Sequence, residues 1–429
     1  MTIHRFKAFA ATFLAFSLVL FASGCGGGSN DDRSPIDFTN GATLSGSIDG
    51  APFKIAVPPA DQWNGILLMH VHGYRDRART ENEKDNRVAE AAPGGEATEQ
   101  ALVAQGFAVA GSAFSRNGWA VEEGLVDTVN LTEYFKQRFA PPQATVLLGV
   151  SMGSVVALKS IELFPDLYQA VIGLCSVGGG ATRNFDLALG VLLAYDIMYG
   201  LPENFGFPAG ISSNFDFDND FAAEILQQTQ VPEGQVGLEF IRLVSNITSE
   251  AFAKDLFSLF FFATEALSEL IDRAGGSPIQ NLNASYSIPD IARIQLEALG
   301  FPAGQIVAGM NQGTVFPANP DSRSYLVDNA DFSGNHNAPV LLMHTIHDGF
   351  VLPANQEAYI DLLSSQGRGA QVFGTYVDSV GHCNFTGSQI GASIAAMGKW
   401  LAAGIRPTAA DFPEALGFDN NHTPAPFPY

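Results

Sequence analysis

The chain has 429 residues, 46% of them apolar and 15% charged, with a formal net charge of −22. That length allows one large core with an insertion or two domains. The acidic surface excludes nucleic acid and anionic lipid headgroups as electrostatic partners, and it suits a secreted protein kept soluble by its charge.

In chain order, residues 1–24 come first and have the pattern of an export signal. Arg5 and Lys7 precede the apolar run Ala8–Ala22, and Ala22-Ser23-Gly24-Cys25 follows. The run is short for a membrane span, and no later stretch is apolar for long enough to cross a bilayer. Small residues immediately before a cysteine resemble a bacterial lipobox, with Ala22 where Leu is usual. That resemblance implies a mature chain beginning at a lipid-bearing, palmitate-type Cys25, anchored to a bacterial membrane. Gly26, in place of the Asp that marks inner-membrane retention, favours the outer membrane. An ordinary cleaved signal and an uncleaved anchor are the other readings. Residues 25–40, which contain GGGSNDD, are expected to be a flexible tether.

After residue 60 strands and helices alternate. ATLSGSIDGAPFKIAVP (42–58) predicts an edge hairpin, and GILLMHVHG (65–73), FAVAGSAF (107–114), TVLLGV (145–150) and AVIGLCSV (170–177) predict buried strands. Helices are predicted over 96–106, 120–139 and 152–164. After a long interval come strands at 338–345 and 371–377 and helices near 354–365 and 388–403. This rhythm predicts an α/β fold: a mostly parallel central sheet with helices on both faces, built from 41–180 and 336–405. Residues 181–335 break the rhythm with helical periodicity and predict a large inserted helical cap. Its clearest helix is 251–276, which has too many aromatics (Phe257, Phe260, Phe261, Phe262) for one stripe and is expected to be covered on more than one side. The Pro-rich tail, 406–429, is expected to pack as irregular chain over the body.

Within LLGVSMGSVVAL (147–158), Gly149 and Gly153 flank Ser151 where an apolar strand turns into an apolar helix. The glycines remove side chains that would clash in such a turn, and the serine is lifted above the sheet at a helix start that favours developing negative charge. A nucleophilic serine needs a base, and the base an orienting acid. His382 and Asp348 each follow a late strand; His422 lies in the tail, and Asp378 closes its own strand. The order Ser151, Asp348, His382 resembles the α/β-hydrolase family over about residues 60–410 apart from the cap. By that resemblance Ser151 attacks, His382 moves the proton and Asp348 holds the imidazole tautomer. Ser151 and Asp348 are 197 residues apart, against roughly 75–100 expected from element lengths alone, and the excess matches the cap.

The same resemblance places the backbone amides of Met152 and Tyr74 at an oxyanion hole, the latter through the His72-Gly73-Tyr74 element. Trp119 is expected to line the substrate cleft. Arg116 or Arg75 is a candidate for a substrate carboxylate, with a surface ion pair as the alternative. Cys383, directly after His382, resembles the His-Cys feature of tannases and feruloyl esterases, whose partner cysteine stands just before their serine; here that place holds Val150. Export favours pairing of the two remaining cysteines, and a Cys175–Cys383 disulfide would pin the histidine loop beside Ser151; two small buried thiols are the alternative. No metal or cofactor is expected. His70 and His72 share a strand face and His344 and His347 are spaced i, i+3, but HVHGYRD lacks the acidic residue that a metallohydrolase would place two positions after its second histidine. DFDNDF (216–221) starts like a calcium loop, yet Phe221 and Gln227 replace its glycine and its last ligand, so a solvated turn is expected.

These readings imply a serine hydrolase that cleaves a small-molecule or polymeric carboxylic ester through an acyl-enzyme, the Phe-rich cap favouring an apolar or aromatic acyl group. An amidase, peptidase or lactonase on the same triad is one alternative, and a non-catalytic surface-binding lipoprotein is another.

Overall fold

The computed structural model of the chain describes residues 34–77, 87–207, 210–313 and 315–429. The export signal, Cys25 and the first part of the tether lie outside the described residues. Strands β1 (Ala42–Ile48) and β2 (Ala51–Val57) form an antiparallel hairpin. Its two-residue turn, Asp49-Gly50, has φ of 49° and 86°, the left-handed pair that an Asp-Gly hairpin turn supplies.

Six strands then run parallel: β3 (Ile66–Val71), β4 (Ala108–Ser112), β5 (Ala144–Val150), β6 (Ala170–Leu174), β7 (Val340–His347) and β8 (Val372–Val380). The two-residue β9 (Phe418–Asp419) adds antiparallel to β8. Among the described residues the sheet order is β1-β2-β4-β3-β5-β6-β7-β8-β9. The chain leaves β3 for β4 on one side and then crosses back to β5 on the other. The loops after β3 and β5 therefore diverge and open a crevice at the carboxyl ends of the strands.

Alternate residues of each strand feed two separate cores. Leu67, Met69 and Val71 of β3 face one core, which also holds Phe135 of α2 (Val121–Arg138) and Val155 and Leu158 of α3 (Met152–Leu163). Leu68 faces the other, with Leu102 of α1 (Glu96–Ala104). Every residue of α3 from Met152 to Ile161 is buried, as an Ala/Val/Leu helix without a polar face requires.

Between β6 and β7 lie α4 (Ala181–Tyr199), α5 (Phe217–Asp220), α6 (Ala222–Gln230), α7 (Pro232–Val244), α8 (Ser249–Phe261), α9 (Leu267–Ala274), α10 (Asp290–Ala298), α11 (Ala303–Gln312) and α12 (Pro320–Ala330). The single helix expected over 251–276 is interrupted: Phe262–Ala266 forms a π turn between α8 and α9, and Gly275, at φ 72°, closes α9. The wider turn sends successive phenylalanines to different partners. Phe260 packs on Tyr195 and Phe221, Phe261 on Phe217 and Tyr74, and Phe262 on Phe185 and Phe350. DFDNDF forms the short α5, with Asp216 accepting from the Asn219 amide at 3.0 Å.

After β7, α13 (Ala354–Ser365) leads to β8, and α14 (Gly387–Ala403) packs Ile390, Ile394, Met397 and Trp400 into the second core. The tail is more ordered than its composition predicts. It contributes β9, buries Phe412 and Phe418, and sends the Tyr429 hydroxyl to the Leu187 carbonyl at 2.9 Å. No helix among the described residues is long and apolar enough to cross a membrane.

Candidate active site

Ser151 stands between β5 and α3 at φ 53°, ψ −124°, a conformation that costs a non-glycine residue roughly 1–3 kcal/mol. Its surroundings hold it there. The Ser151 amide donates to the Leu174 carbonyl at 2.9 Å, and the Ser154 hydroxyl donates to the Ser151 carbonyl at 2.6 Å. The two flanking glycines are needed because backbones meet at the turn. A Cβ on Gly149 would lie 2.6 Å from the Gly153 carbonyl oxygen, and one on Gly153 would strike the Val71 carbonyl of β3.

The three separated residues converge on this turn. The Ser151 hydroxyl lies 2.8 Å from His382 Nε2, and His382 Nδ1 donates to Asp348 Oδ2 at 2.7 Å. Asp348 is fully enclosed, and its other oxygen accepts the amides of Phe350 (3.0 Å) and Val351 (2.8 Å). Burial pushes its carboxyl up, but the charges and hydrogen bonds of His382 and His344 outweigh this and hold it well below the ordinary carboxylate range. Asp378, the rival acid, is exposed on β8.

Parallel strands joined in this order, a strained serine after the central strand, and an acid and a histidine after the last two parallel strands define the architecture. The chain has the α/β-hydrolase fold. No family model and no curated protein matches its sequence. Solved structures that resemble this hydrolase fold include a serine hydrolase from Cycloclasticus zankles (13% identity, TM-score 0.36, covering 85% of this chain and 99% of that one). They also include proline iminopeptidase from Mycobacterium smegmatis (13%, 0.36, 80% and 92%). A third is the Pyrococcus horikoshii acylaminoacyl peptidase (10%, 0.37, 81% and 38%).

The hydrolase scaffold brings Gly73 against the serine: a Cβ there would lie 3.2 Å from Ser151 Cβ and 3.7 Å from its Oγ. The peptide leading to Tyr74 thus runs beside the hydroxyl, and Met152 follows it at the start of α3. Cys175 and Cys383 form a disulfide, with Cα atoms 5.2 Å apart. Val150 pairs with Leu174 in the β5–β6 ladder, so Cys175 is the lateral neighbour of Ser151. The bond ties the histidine loop to that edge, and Cys383 Sγ lies 3.3 Å from His382 Nε2.

A cavity of about 20 Å³ opens on Ser151. Its walls are largely apolar, with Trp119, Leu187, Leu259, Phe262 and Phe350 among them and Asn184 as a polar exception. Trp119 is 2% exposed and meets Phe185 and Phe262 edge-on; Phe350 in turn meets the His382 ring edge-on at 4.7 Å. The Trp119 amide donates to Glu269 of α9 at 2.8 Å, and Arg273, one turn further, bridges Glu269 (2.8 Å) and Glu123 (2.6 Å).

Arg116 does not join this site. It is 60% exposed and faces Glu123 at 3.4 Å, and Arg75 reaches the Val88 carbonyl at 2.8 Å; neither lines the cavity. The surrounding histidines are packed within the fold. Burial, then the Arg75 charge, lowers His70 to about 4 and His72 to about 3, so both are neutral. His72 packs on Phe114 with the rings tilted by 32° and donates to the Gly73 carbonyl at 2.6 Å. His344 donates to the Val351 carbonyl at 2.9 Å, behind Asp348, and His347 meets Thr248 at 3.1 Å.

Phe350, Glu269, Arg273 and Asp255, whose carboxylate accepts the Gly349 and His382 amides, were not singled out in the sequence, and Phe262 was read there only as a packing residue of the cap. The i, i+4 spacing of Glu269 and Arg273, and the Lys254-Asp255 pair set among the apolar residues of AFAKDLF, were the available signals.

Proposed function

We propose that the protein is a serine hydrolase that cleaves carboxylic esters of apolar acyl groups through an acyl-enzyme. The observation that carries this reading is the continuous relay from Asp348 through His382 to Ser151, at 2.7 and 2.8 Å, on a strained elbow beside an apolar cavity. Ser151 Oγ attacks the ester carbonyl carbon as its proton passes to His382 Nε2. The carbonyl π electrons move onto oxygen, where the amides of Met152 and Tyr74 are the donors; each such donor contributes roughly 3 kcal/mol. Collapse breaks the bond to the alcohol, which leaves with the proton from Nε2. Water then repeats the sequence on the acyl-serine and releases the acid. Asp348 keeps Nδ1 protonated and stabilises the imidazolium.

The Ala8–Ala22 run and Cys25 support export and attachment to a bacterial membrane, the outer one favoured, by an N-terminal lipid. The disulfide supports an oxidising compartment.

A fluorophosphonate probe should label the wild type and not Ser151→Ala. A parallel panel of p-nitrophenyl esters and anilides should show esters turned over faster; preference for anilides would make it an amidase. Absence of labelling in the wild type would end the hydrolase reading.

A further inference from the structure

α8 touches both loops that carry the proton relay. Asp255, in its middle, is 6% exposed, and its two oxygens go to different loops. Oδ2 accepts the Gly349 amide at 2.8 Å, next to Asp348; Oδ1 accepts the amide of His382 itself at 3.4 Å. A buried carboxylate without partners would be costly, so these two amides define its place. The approach is close: a Cβ on Gly349 would lie 2.6 Å from the Ala251 carbonyl of α8. Further back, the two loops are already tied by the Gly381 amide to the His347 carbonyl at 2.8 Å and by Thr345 to Gly381 at 3.0 Å. Asp255 joins them again at the level of the functional side chains.

We propose that Asp255 is a positioning residue: carried by the inserted helices, it sets the Asp348 and His382 loops relative to each other and adds a fixed negative charge beside the base. The inference rests on the hydrolase reading for its kinetic consequence. It means that the insert completes the site and does not merely cover it. The charged groups that act on Asp255 are Asp348, just after β7, and His382, in the loop after β8; His344 contacts Asp348, His347 meets Thr248 at the start of α8, and Lys254, on the same helix, packs against Gly381. Burial raises the Asp255 carboxyl above its ordinary range and the Asp348 charge adds to this, while the two amides and the His382 charge oppose the rise without cancelling it. A negative charge there favours the imidazolium that forms as Ser151 attacks.

The test uses the full chain with Asp255→Asn, which keeps one amide acceptor and removes the charge, and Asp255→Ala, which removes both. Three quantities are read: kcat and KM for a short-chain p-nitrophenyl ester against pH, the downfield proton resonance of His382 Nδ1, and the melting temperature. Asp255→Asn is expected to lower kcat about tenfold with KM within about twofold, and to move the acidic limb of kcat/KM down by about half a pH unit. Both variants should shift or broaden the Nδ1 proton resonance. Unchanged kcat, acidic limb and resonance in Asp255→Asn would overturn the proposal, as would losses that follow melting temperature alone. If Asp255→Ala does not fold, Asp255→Asn decides. If the wild type cleaves no ester, the hydrolase reading fails by itself, and the resonance still decides this one: moved in Asp255→Asn supports it, unmoved overturns it.

Discussion

Cys175 sits one residue beyond Leu174, whose carbonyl accepts the Ser151 amide at 2.9 Å, so the disulfide to Cys383 ties the histidine loop to the strand end that also holds the serine. Cys175→Ser with Cys383→Ser, or reduction of the wild type, is expected to cost about 2–4 kcal/mol of stability. It should also lower kcat by about tenfold through loss of the Ser151–His382 alignment. Urea unfolding and ester kinetics with and without reductant check both. Full activity after verified reduction would show that the loop is held in place without the bond.

The size of the cavity beside Ser151 makes an acyl-length prediction. At about 20 Å³ it holds little more than a methyl group or one water. Acetyl and propionyl esters should therefore be turned over faster than hexanoyl or octanoyl esters. Phe262, from the π turn, forms one wall, and Phe262→Ala should raise kcat/KM for octanoate about tenfold while leaving acetate within about threefold. A wild type that already prefers octanoate would show that the insert opens well beyond this geometry.

Arg273 should be the residue that fastens the insert to the loop carrying Trp119. Its side chain is 4% exposed and bridges Glu269 and Glu123. Arg273→Met leaves the buried Glu269 without its cation and Glu123 with only the exposed Arg116, and should cost about 3–5 kcal/mol. Burial acts to lower the Arg273 guanidinium, but the charges and hydrogen bonds of Glu269 and Glu123 outweigh it and hold the group above its ordinary value. Calorimetry reads the loss. A melting temperature within a degree or two of wild type would show that the bridge is energetically idle.

Acid should destabilise the fold before its carboxylates are protonated. Burial, with Arg75 second, lowers His70 to about 4 and His72 to about 3, and burial lowers His336 to about 4. Below the ordinary histidine value of 6.5 the unfolded chain binds protons that the folded one refuses. The stabilisation is therefore complete above pH 6.5 and is lost as pH falls towards 4, at roughly 1.4 kcal/mol per pH unit for each histidine in the steep region. Asp186 and Asp331, pushed up by burial, act in the opposite sense, so the histidine part is isolated by a mutant difference. Urea unfolding at several pH values between about 7.5 and 4.5 should show a slope shallower by about one proton in His70→Gln. Parallel slopes would refute the assignment.

The local features of the site were legible in the sequence because they are short-range. Gly149 and Gly153 around Ser151 mark a turn that only small residues allow, and apolar runs of strand length bracket it. Asp348 and His382 each follow such a run, so an α/β strand pattern places them at one rim. What the sequence could not decide depends on which distant surfaces touch. Arg116 was a candidate for the site, but it is exposed and faces Glu123, which Arg273 also binds. The helix read as continuous over 251–276 breaks at Phe262, where Phe185, Trp119 and Phe350 draw its ring to the cavity. The tail pairs with β8 through Phe418, which no local periodicity announced. Asp255 carried only a weak sign in the chain, an acid next to Lys254 in an otherwise apolar stretch. Backbone sterics and apolar periodicity act over a few residues, so the chain alone revealed the order of the core strands and helices and three residues able to form a relay. What holds that relay in place emerged with the folded contacts, because the buried Asp255 takes its partners from more than ninety residues away.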